Sequence, residues 1–230
     1  MIKNKKSKPE YEVDLIEFVG QVHNYDLNII EREIYLHSHF GLAGDEEEGG
    51  IEYRMATQFI KNLHILNQME QSGILLHFQT PGGDWICGMA IYDAIKLSES
   101  PVTILAYGEV ASMGAIVLQA AKKRVMTPNC EVMVHKGFVA LEGNTSTVQS
   151  NAKWNLKINK RMLQILASRC VYGRYFQEKK MSESQVMAYI DKKLNKLGDW
   201  NLDAEEAVYY GLADGVIGST GFETPQKTKI

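Results

Sequence analysis

A serine, a histidine and an aspartate occur in this chain in the order of a nucleophile, its base and an orienting acid. Ser112 comes just before the apolar segment 115–121, which predicts a helix with the serine at its N-terminus. Backbone N–H groups are free there and the local field is positive, so a developing oxyanion would be stabilised. His135 ends the strand-like segment 131–135, and Asp199 lies farther along. These residue types suit acyl transfer.

The Pro-Gly-Gly turn at 81–83 is a second candidate for oxyanion binding. It follows the apolar segment 74–78, which has the length of a strand, and precedes 85–97, whose apolar residues recur at helical spacing. The next stretch repeats that plan, because 102–106 predicts a strand and Gly108 predicts a break. Two strand, turn and helix units would thus place two backbone turns on one side of an α/β layer.

Each of these features, taken alone, is more often structural than catalytic. A Pro-Gly-Gly sequence usually makes a turn, and a serine at a helix start usually caps it. A single histidine at a strand end is usually a hydrogen-bonded structural residue. Their combination in one chain carries the hypothesis.

Six segments of the chain resemble, in order, the successive blocks of ClpP, the proteolytic subunit of the Clp protease (peptidase S14). The resemblance covers about residues 30–218. The segments are Thr80-Pro81-Gly82-Gly83, 88–93, 108–115, Pro128-Asn129, 132–135 and 204–214. Apparent insertions between them also resemble the ClpP-type proteases of bacteriophages, which act in head maturation.

The resemblance implies a catalytic triad of Ser112, His135 and Asp199. Counting back without a gap from the last matching segment gives Asp199 as the acid. The preceding stretch, 171–197, is longer than its counterpart in the family, so Asp191 stays a competitor for that role. The activity implied is that of a serine endopeptidase.

The resemblance also implies where the oxyanion and the substrate bind. Backbone N–H groups of Gly83 and Met113 would form the oxyanion hole. Gly82, Gly137 and Phe138 would contact bound peptide, and a side chain at position 83 would obstruct the approach of substrate. No cofactor is expected.

The fold implied is α/β, with the stacked ββα units of the ClpP and crotonase group and a long protruding handle helix. The chain then divides into an N-terminal segment 1–27, a protease domain 28–218 and a C-terminal tail 219–230. The handle spans about 136–170, with an amphipathic helix at 145–170. In the family the handle interlocks two heptameric rings, so a homo-oligomer with enclosed active sites is expected.

Expected partners follow from the same resemblance. The substrate would be a peptide or an unfolded protein, delivered by an AAA+ unfoldase, or a set of capsid proteins if the chain is phage-encoded. The sequence contains no GxxxxGK[ST] motif, so another protein would have to supply ATP hydrolysis.

Two other functions stay open at this point. A crotonase-type acyl-CoA enzyme shares the two-turn oxyanion architecture but needs no Ser-His-Asp set. A non-catalytic scaffold subunit would keep the fold and only assemble. Labelling of Ser112 by a fluorophosphonate or a β-lactone would discriminate among the three, because only an activated serine reacts.

Composition argues against several other classes of protein. The 230 residues, 45% of them hydrophobic, suit one globular domain, and the net charge of −3 gives no reason to expect nucleic acid or an anionic membrane. No apolar run has the length of a membrane span, and the basic N-terminus lacks the apolar core of a signal peptide.

Three cysteines, Cys87, Cys130 and Cys170, form no CxxC pair and favour reduced thiols. A cytoplasmic location is expected, in the host if the chain is phage-encoded.

Two stretches invite a metal hypothesis, and neither is sufficient. His37 and His39 would share one face of a strand, but no third ligand is evident nearby. The acidic loop 41–50 has carboxylates suited to calcium and looks like a solvated insertion. No metal site is predicted.

Three further elements complete the expected secondary structure. Residues 29–36 predict an opening strand and 52–71 predict a helix. Alternating residues at 138–141 predict a short strand before the handle helix.

Overall fold

A computed structural model describes residues 15–37, 50–137 and 140–225. Within these ranges the strands are β1 Leu27–Asn28, β2 Glu33–His37, β3 Ile74–Thr80, β4 Val102–Ala111, β5 Lys123–Met126, β6 Glu131–Val134, β7 Trp200–Leu202 and β8 Gly215–Val216. The helices are α1 Leu15–Tyr25, α2 Tyr53–Met69, α3 Trp85–Leu97, α4 Met113–Leu118, α5 Thr145–Cys170, α6 Arg174–Glu178, α7 Glu183–Leu197 and α8 Ala204–Tyr209.

The strands form one mixed sheet in the order β1-β2-β3-β4-β5-β8, with β6 paired to β4 and β7 paired to β6. Neighbouring strands are parallel along β2-β3-β4-β5-β8, and β6 is parallel to β4, as helical crossovers between strands require. The pairs β1 with β2 and β6 with β7 are antiparallel. Most residues of the central strands β3 and β4 are buried. The α/β fold expected from the sequence is confirmed.

Gly108 does not end its strand, which corrects the prediction of a break there. β4 runs through it to Ala111, but changes partner: residues 103–106 pair with β5, and residues 109–111 pair with β6. Gly108 has φ +54, a backbone conformation that glycine adopts without a steric penalty. The glycine therefore bends the strand toward β6, and the bend carries the chain to Ser112.

The opening strand begins later than the predicted 29–36. Residues 29–32 form turns, and β2 starts at Glu33. The Asn28 side chain accepts a hydrogen bond from the Glu31 amide at 3.0 Å. Arg32, with φ +54, donates through its guanidinium to three backbone carbonyl oxygens at 2.9 Å each. These contacts stabilise a left-handed residue that hydrophobic periodicity alone does not reveal.

The long helices lie close to their predicted positions. Both α3 and α5 have the predicted bounds. Helix α2 is shorter than 52–71, because Glu52 caps its start and accepts from the first-turn amides, and Glu70 ends it in an extended conformation. Helix α4 begins two residues before the predicted 115–121 and ends three residues before its predicted end, at Leu118. Among the described helices, none combines the length and the hydrophobicity needed to span a membrane.

The handle helix α5 is buried only in its C-terminal half. Leu163 and Leu166 belong to the core there, whereas Trp154 and Leu156 in the N-terminal half are 60% and 69% exposed. The helix thus protrudes from the sheet and leaves apolar side chains in solvent. This agrees with the protruding handle expected from the sequence.

Several predictions fall wholly or partly on residues 1–14, 38–49, 138–139 and 226–230, which lie outside the described residues. They include the histidine pair ending at His39, most of the acidic loop, and Phe138 as a peptide contact. The predicted strand at 138–141 is wrong for its described part, because residues 140–141 are not in a strand. Among the described residues, no group of three or more His, Cys, Asp or Glu side chains could hold a metal ion.

Candidate active site

Ser112 occupies a sharp turn between β4 and α4. Its φ of 52° and ψ of −117° are unusual for a residue with a side chain and store strain of about 1–3 kcal/mol. The conformation is held on the helix side because all six residues of α4 are buried. The hydroxyl does not cap the helix it precedes, so the ordinary structural role of a serine at this position does not apply.

His135 follows directly on β6, and the sheet determines where it lies. Residues 109–111 of β4 pair in parallel with 131–133 of β6, and Trp200 of β7 lies opposite Val134. Continuing the antiparallel register by one residue places Asp199 opposite His135. The turn after β4, the end of β6 and the start of β7 therefore meet at one edge of the sheet.

Ser112, His135 and Asp199 form a continuous hydrogen-bonded chain. The Nε2 of His135 lies 2.7 Å from Ser112 Oγ, and its Nδ1 lies 3.1 Å from Asp199 Oδ1. A carboxylate at Nδ1 favours the tautomer that carries its proton there, which leaves Nε2 free to accept from the hydroxyl. The histidine side chain is 26% exposed and that of Asp199 is 62% exposed. The arrangement can remove a proton from the serine and stabilise the resulting imidazolium.

Asp191 lies outside the hydrogen-bonded chain that joins Ser112, His135 and Asp199. It is on α7, and its Oδ1 forms an ion pair with Lys136 Nζ at 2.6 Å. Lys136 Nζ also donates to Asn195 Oδ1 at 2.7 Å. The competing aspartate is thus near the base in space, but its partner is the residue that follows the base.

Gly82 and Gly83 pass directly beside Ser112. Gly82 has φ +115, and a Cβ added to it would lie 2.6 Å from Ser112 Cβ. Gly83, with φ +138, forms a parallel bridge with Ile51, in which Ile51 N donates to Gly82 O and Asp84 N donates to Ile51 O. The Gly83 N–H takes no part in these two bonds. Only glycine allows the glycine turn to approach both the serine turn and the backbone of Ile51 so closely.

Met113 is the first residue of α4. Its N–H is one of those that a helix N-terminus leaves without an intrahelical acceptor. The Gly83 and Met113 amides therefore belong to the two backbone turns that flank the serine. Both residues line the same cleft as Ser112.

A cleft of about 450 Å³ opens over the serine and the histidine. Of the two glycines expected to contact peptide, Gly137 lines the cleft, whereas Gly82 does not belong to its lining and lies against the serine turn. Sequence reasoning missed the part of the lining that comes from one face of α5, formed by Asn155, Ile158, Asn159 and Met162. Their spacing of three and four residues is that of one helix face, and this pattern could have revealed them.

The cysteines do not offer an alternative nucleophile. All three are free thiols, and Cys130 and Cys170 are buried. Burial raises the pKa of Cys87 to about 11 and the pKa of Cys130 and Cys170 to about 12. A thiolate is the reactive form of cysteine, so these thiols are inert at neutral pH.

Comparison with known families gives the fold and its site a context. The family model described as Clp protease matches residues 47–220, about three quarters of the chain. The chain belongs to the Clp protease family. The match contains every described residue of the cleft and of the hydrogen-bonded chain from Ser112 to Asp199.

Curated relatives in the Clp protease family share the same description, "ATP-dependent Clp protease proteolytic subunit". The chain is 29% identical to the one from Deinococcus radiodurans over 173 residues, which are 74% of this chain and 78% of that protein. It is 29% identical to the Chlorella vulgaris protein over 177 residues, 76% and 81% of the two chains. The Carsonella ruddii protein is 32% identical over 146 residues, 63% and 70% of the two chains.

Membership of the Clp protease family makes the chain a peptidase by descent. It also favours the protease hypothesis over the crotonase-type acyl-CoA enzyme, since the match is to the protease family and includes the handle helix α5. Catalytic competence is a separate question, because a scaffold subunit of the same family would give the same match.

Proposed function

We propose that the chain is a serine endopeptidase in which Ser112, His135 and Asp199 act as nucleophile, general base and orienting acid. The observation that carries this proposal is the pair of short contacts at His135, 2.7 Å to the serine and 3.1 Å to the aspartate. In a two-step acyl transfer, Ser112 Oγ attacks the peptide carbonyl carbon while His135 Nε2 takes its proton. The imidazolium then gives that proton to the leaving amine, and water repeats the sequence on the acyl-enzyme.

The carbonyl oxygen gains negative charge as the serine attacks. The N–H groups of Gly83 and Met113 are the donors proposed to stabilise it, because they border the cleft beside Ser112 and are not used by the Ile51 bridge or the α4 helix. Such donors cost no reorganisation during the reaction, since the buried helix and the glycine turn already hold them in place.

The cleft suits a peptide or an unfolded chain as substrate. Gly83, Gly137 and one face of α5 line it, and its lining carries both apolar side chains and side-chain amides. Phe138 follows Gly137 and stays a proposed peptide contact. No cofactor takes part in the proposed chemistry, which needs only the three side chains and two amides.

Stacked heptameric rings are the assembly that the family resemblance implies, and two observations support a homo-oligomer. Trp154 and Leu156 are exposed on the protruding half of α5, and no residue of the amphipathic helix α1 is buried, with Leu15 and Ile16 75% and 84% exposed. Large apolar side chains exposed on two helices indicate surfaces that a second copy covers. Enclosure of the sites would also explain how an open cleft avoids indiscriminate proteolysis.

The proposed partner is an AAA+ unfoldase, since the curated relatives are described as ATP-dependent and this sequence contains no P-loop motif. Processing of capsid proteins during phage head maturation is the proposed role if the gene lies in a phage genome. In both settings the proposed location is the cytoplasm, that of the host in the second.

The decisive experiment is labelling of the full chain with a fluorophosphonate, followed by peptide mapping and an assay with fluorogenic peptides. We expect stoichiometric modification of Ser112 and peptide hydrolysis that the label abolishes. A folded, assembled chain that neither reacts nor hydrolyses peptide would establish the scaffold alternative. Labelling at a different residue would transfer the nucleophile role.

A further inference from the structure

Lys136, Asp191 and Asn195 form a polar cluster beside the candidate active site. Lys136 Nζ lies 2.6 Å from Asp191 Oδ1 and 2.7 Å from Asn195 Oδ1, and the Asn195 amide lies 3.3 Å from Asp191 Oδ2. Each member thus contacts the other two. Lys136 is the residue after His135, while Asp191 and Asn195 lie one turn apart on α7.

The cluster joins the segment of the base to the segment of the acid. Helix α7 ends at Leu197, and two residues later the chain reaches Asp199. Gly198 between them has φ +77, and its amide closes the helix on Leu194 O at 2.9 Å. The position of Asp199 therefore depends on where the end of α7 lies.

Asp199 needs such a support. Its side chain is 62% exposed, and within the described part of the chain its carboxylate has no hydrogen-bond donor other than His135. The strand pairing of β6 with β7 fixes the chain on the far side of Asp199, through Trp200 opposite Val134. The Lys136 cluster fixes the near side, so the two links hold the acid from both directions.

We infer that Lys136 is a positioning residue that, through Asp191 and Asn195, holds α7 against the end of β6 and so sets the contact between His135 and Asp199. This inference rests on the proposed serine peptidase function. It assigns Asp191 a role one step removed from the chemistry, where the sequence had left it as a rival acid.

Stability is not the main effect of the cluster. The side chains of Lys136 and Asp191 are 32% and 41% exposed, and ion pairs of that exposure contribute little to folding because water screens them. A small displacement of an orienting carboxylate, in contrast, lowers the rate of the chemical step strongly. Loss of the cluster should therefore reduce kcat while leaving the fold and KM unchanged.

The inference can be tested with Lys136→Met, Asp191→Asn and their double variant, with Asn195→Ala as an independent variant. Arg174→Met is the matched control, since it removes an exposed ion pair, Arg174 with Glu178 at 2.7 Å, away from the cleft. Each protein is measured for kcat and KM on a fluorogenic peptide, for the rate of fluorophosphonate labelling at Ser112, for melting temperature and for particle mass.

We expect kcat and the labelling rate to fall by roughly tenfold in each cluster variant, at unchanged KM, melting temperature and mass. The double variant should be no worse than either single one, because both remove the same link. Arg174→Met should match the wild type.

Three results would overturn the inference while leaving the proposed function intact: full kcat in Lys136→Met and Asp191→Asn, a raised KM at unchanged kcat, or fully additive losses in the double variant. The second would mean that Lys136 contacts substrate directly, since it also borders the cleft. A wild-type protein that is neither labelled nor active would instead overturn the proposed function, and this inference with it.

Discussion

The backbone amide of Ser112 donates to the carbonyl oxygen of Met133 at 2.8 Å. This bond continues the parallel pairing of β4 with β6 beyond Ala111, which lies opposite Met133. The serine is thereby held in register with the strand that leads to His135, so the sheet, and not a loose loop, sets the distance between the two side chains. Removing the hydroxyl should leave this backbone framework intact.

Ser112→Ala should therefore abolish peptidase activity without altering the fold. Loss of the nucleophile of such a triad costs several orders of magnitude in rate. The measurements are hydrolysis of a fluorogenic peptide, fluorophosphonate labelling and melting temperature. Ser184→Ala, at an exposed serine of α7, is the matched control and should retain full activity. Hydrolysis by the Ser112 variant at a near wild-type rate would refute the assignment.

Asp199→Asn should lower kcat by at least about a hundredfold, because an amide disfavours the productive tautomer of His135 and no longer stabilises the imidazolium. The effect should clearly exceed the roughly tenfold loss expected for Asp191→Asn, which acts only through Lys136. Steady-state kinetics of the two variants, at matched particle mass, makes the comparison. A fully active Asp199→Asn enzyme beside an inactive Asp191→Asn enzyme would make Asp191 the acid.

Gly83→Ala should impair both activity and stability. A Cβ at this position would overlap the backbone N and O of Ile51, and the φ of +138° is unfavourable for alanine. Relief of that overlap would separate the bridge and move the Gly83 N–H away from the serine. We expect a lower kcat and a lower melting temperature together.

Gly20→Ala is the control for that substitution. Gly20 lies within α1, where the nearest atom to an added Cβ, Asn24 Nδ2, is 3.8 Å away. Alanine there should leave activity unchanged and stabilise the helix by about 0.5–1 kcal/mol. If Gly83→Ala behaves like Gly20→Ala in kinetics and melting, the Gly83 amide has no special position.

Local sequence patterns located much of this site. The spacing of apolar residues predicted the bounds of α3 and α5, and the strand predicted at 131–135 is β6, which ends one residue earlier at Val134. The strand did not stop at Gly108, because pairing with β6 beyond the bend outweighs the low strand propensity of one glycine. The turn at Arg32 was missed for a similar reason, since its stabilising carbonyls lie far away in sequence.

The contacts that depend on tertiary structure were the least predictable. The Lys136 cluster joins residues 55 and 59 positions apart, and no local period reports such a contact. The same holds for the choice between Asp199 and Asp191, which counting along the chain left open. Only the antiparallel register of β7 on β6 brings one of these carboxylates to His135.

Assembly can be tested at Leu156, on the protruding half of α5. Leu156 is 69% exposed in the single chain, and Trp154, on another side of the same helix, is 60% exposed, so neighbouring copies that cover the two side chains would bury a substantial apolar surface. Leu156→Glu would place a charge in that contact, and burying an unpaired carboxylate is costly. Since no core contact is lost, the variant should fold normally and form smaller particles with little peptidase activity. Ser184→Glu adds the same charge at an exposed position on α7, away from this half of α5, and should assemble normally. Light scattering or mass photometry gives the particle mass, and hydrolysis of a fluorogenic peptide gives the activity. A wild-type protein that is fully active at its monomer mass of 25.9 kDa would rule out a ring, since its active site would then need no partner.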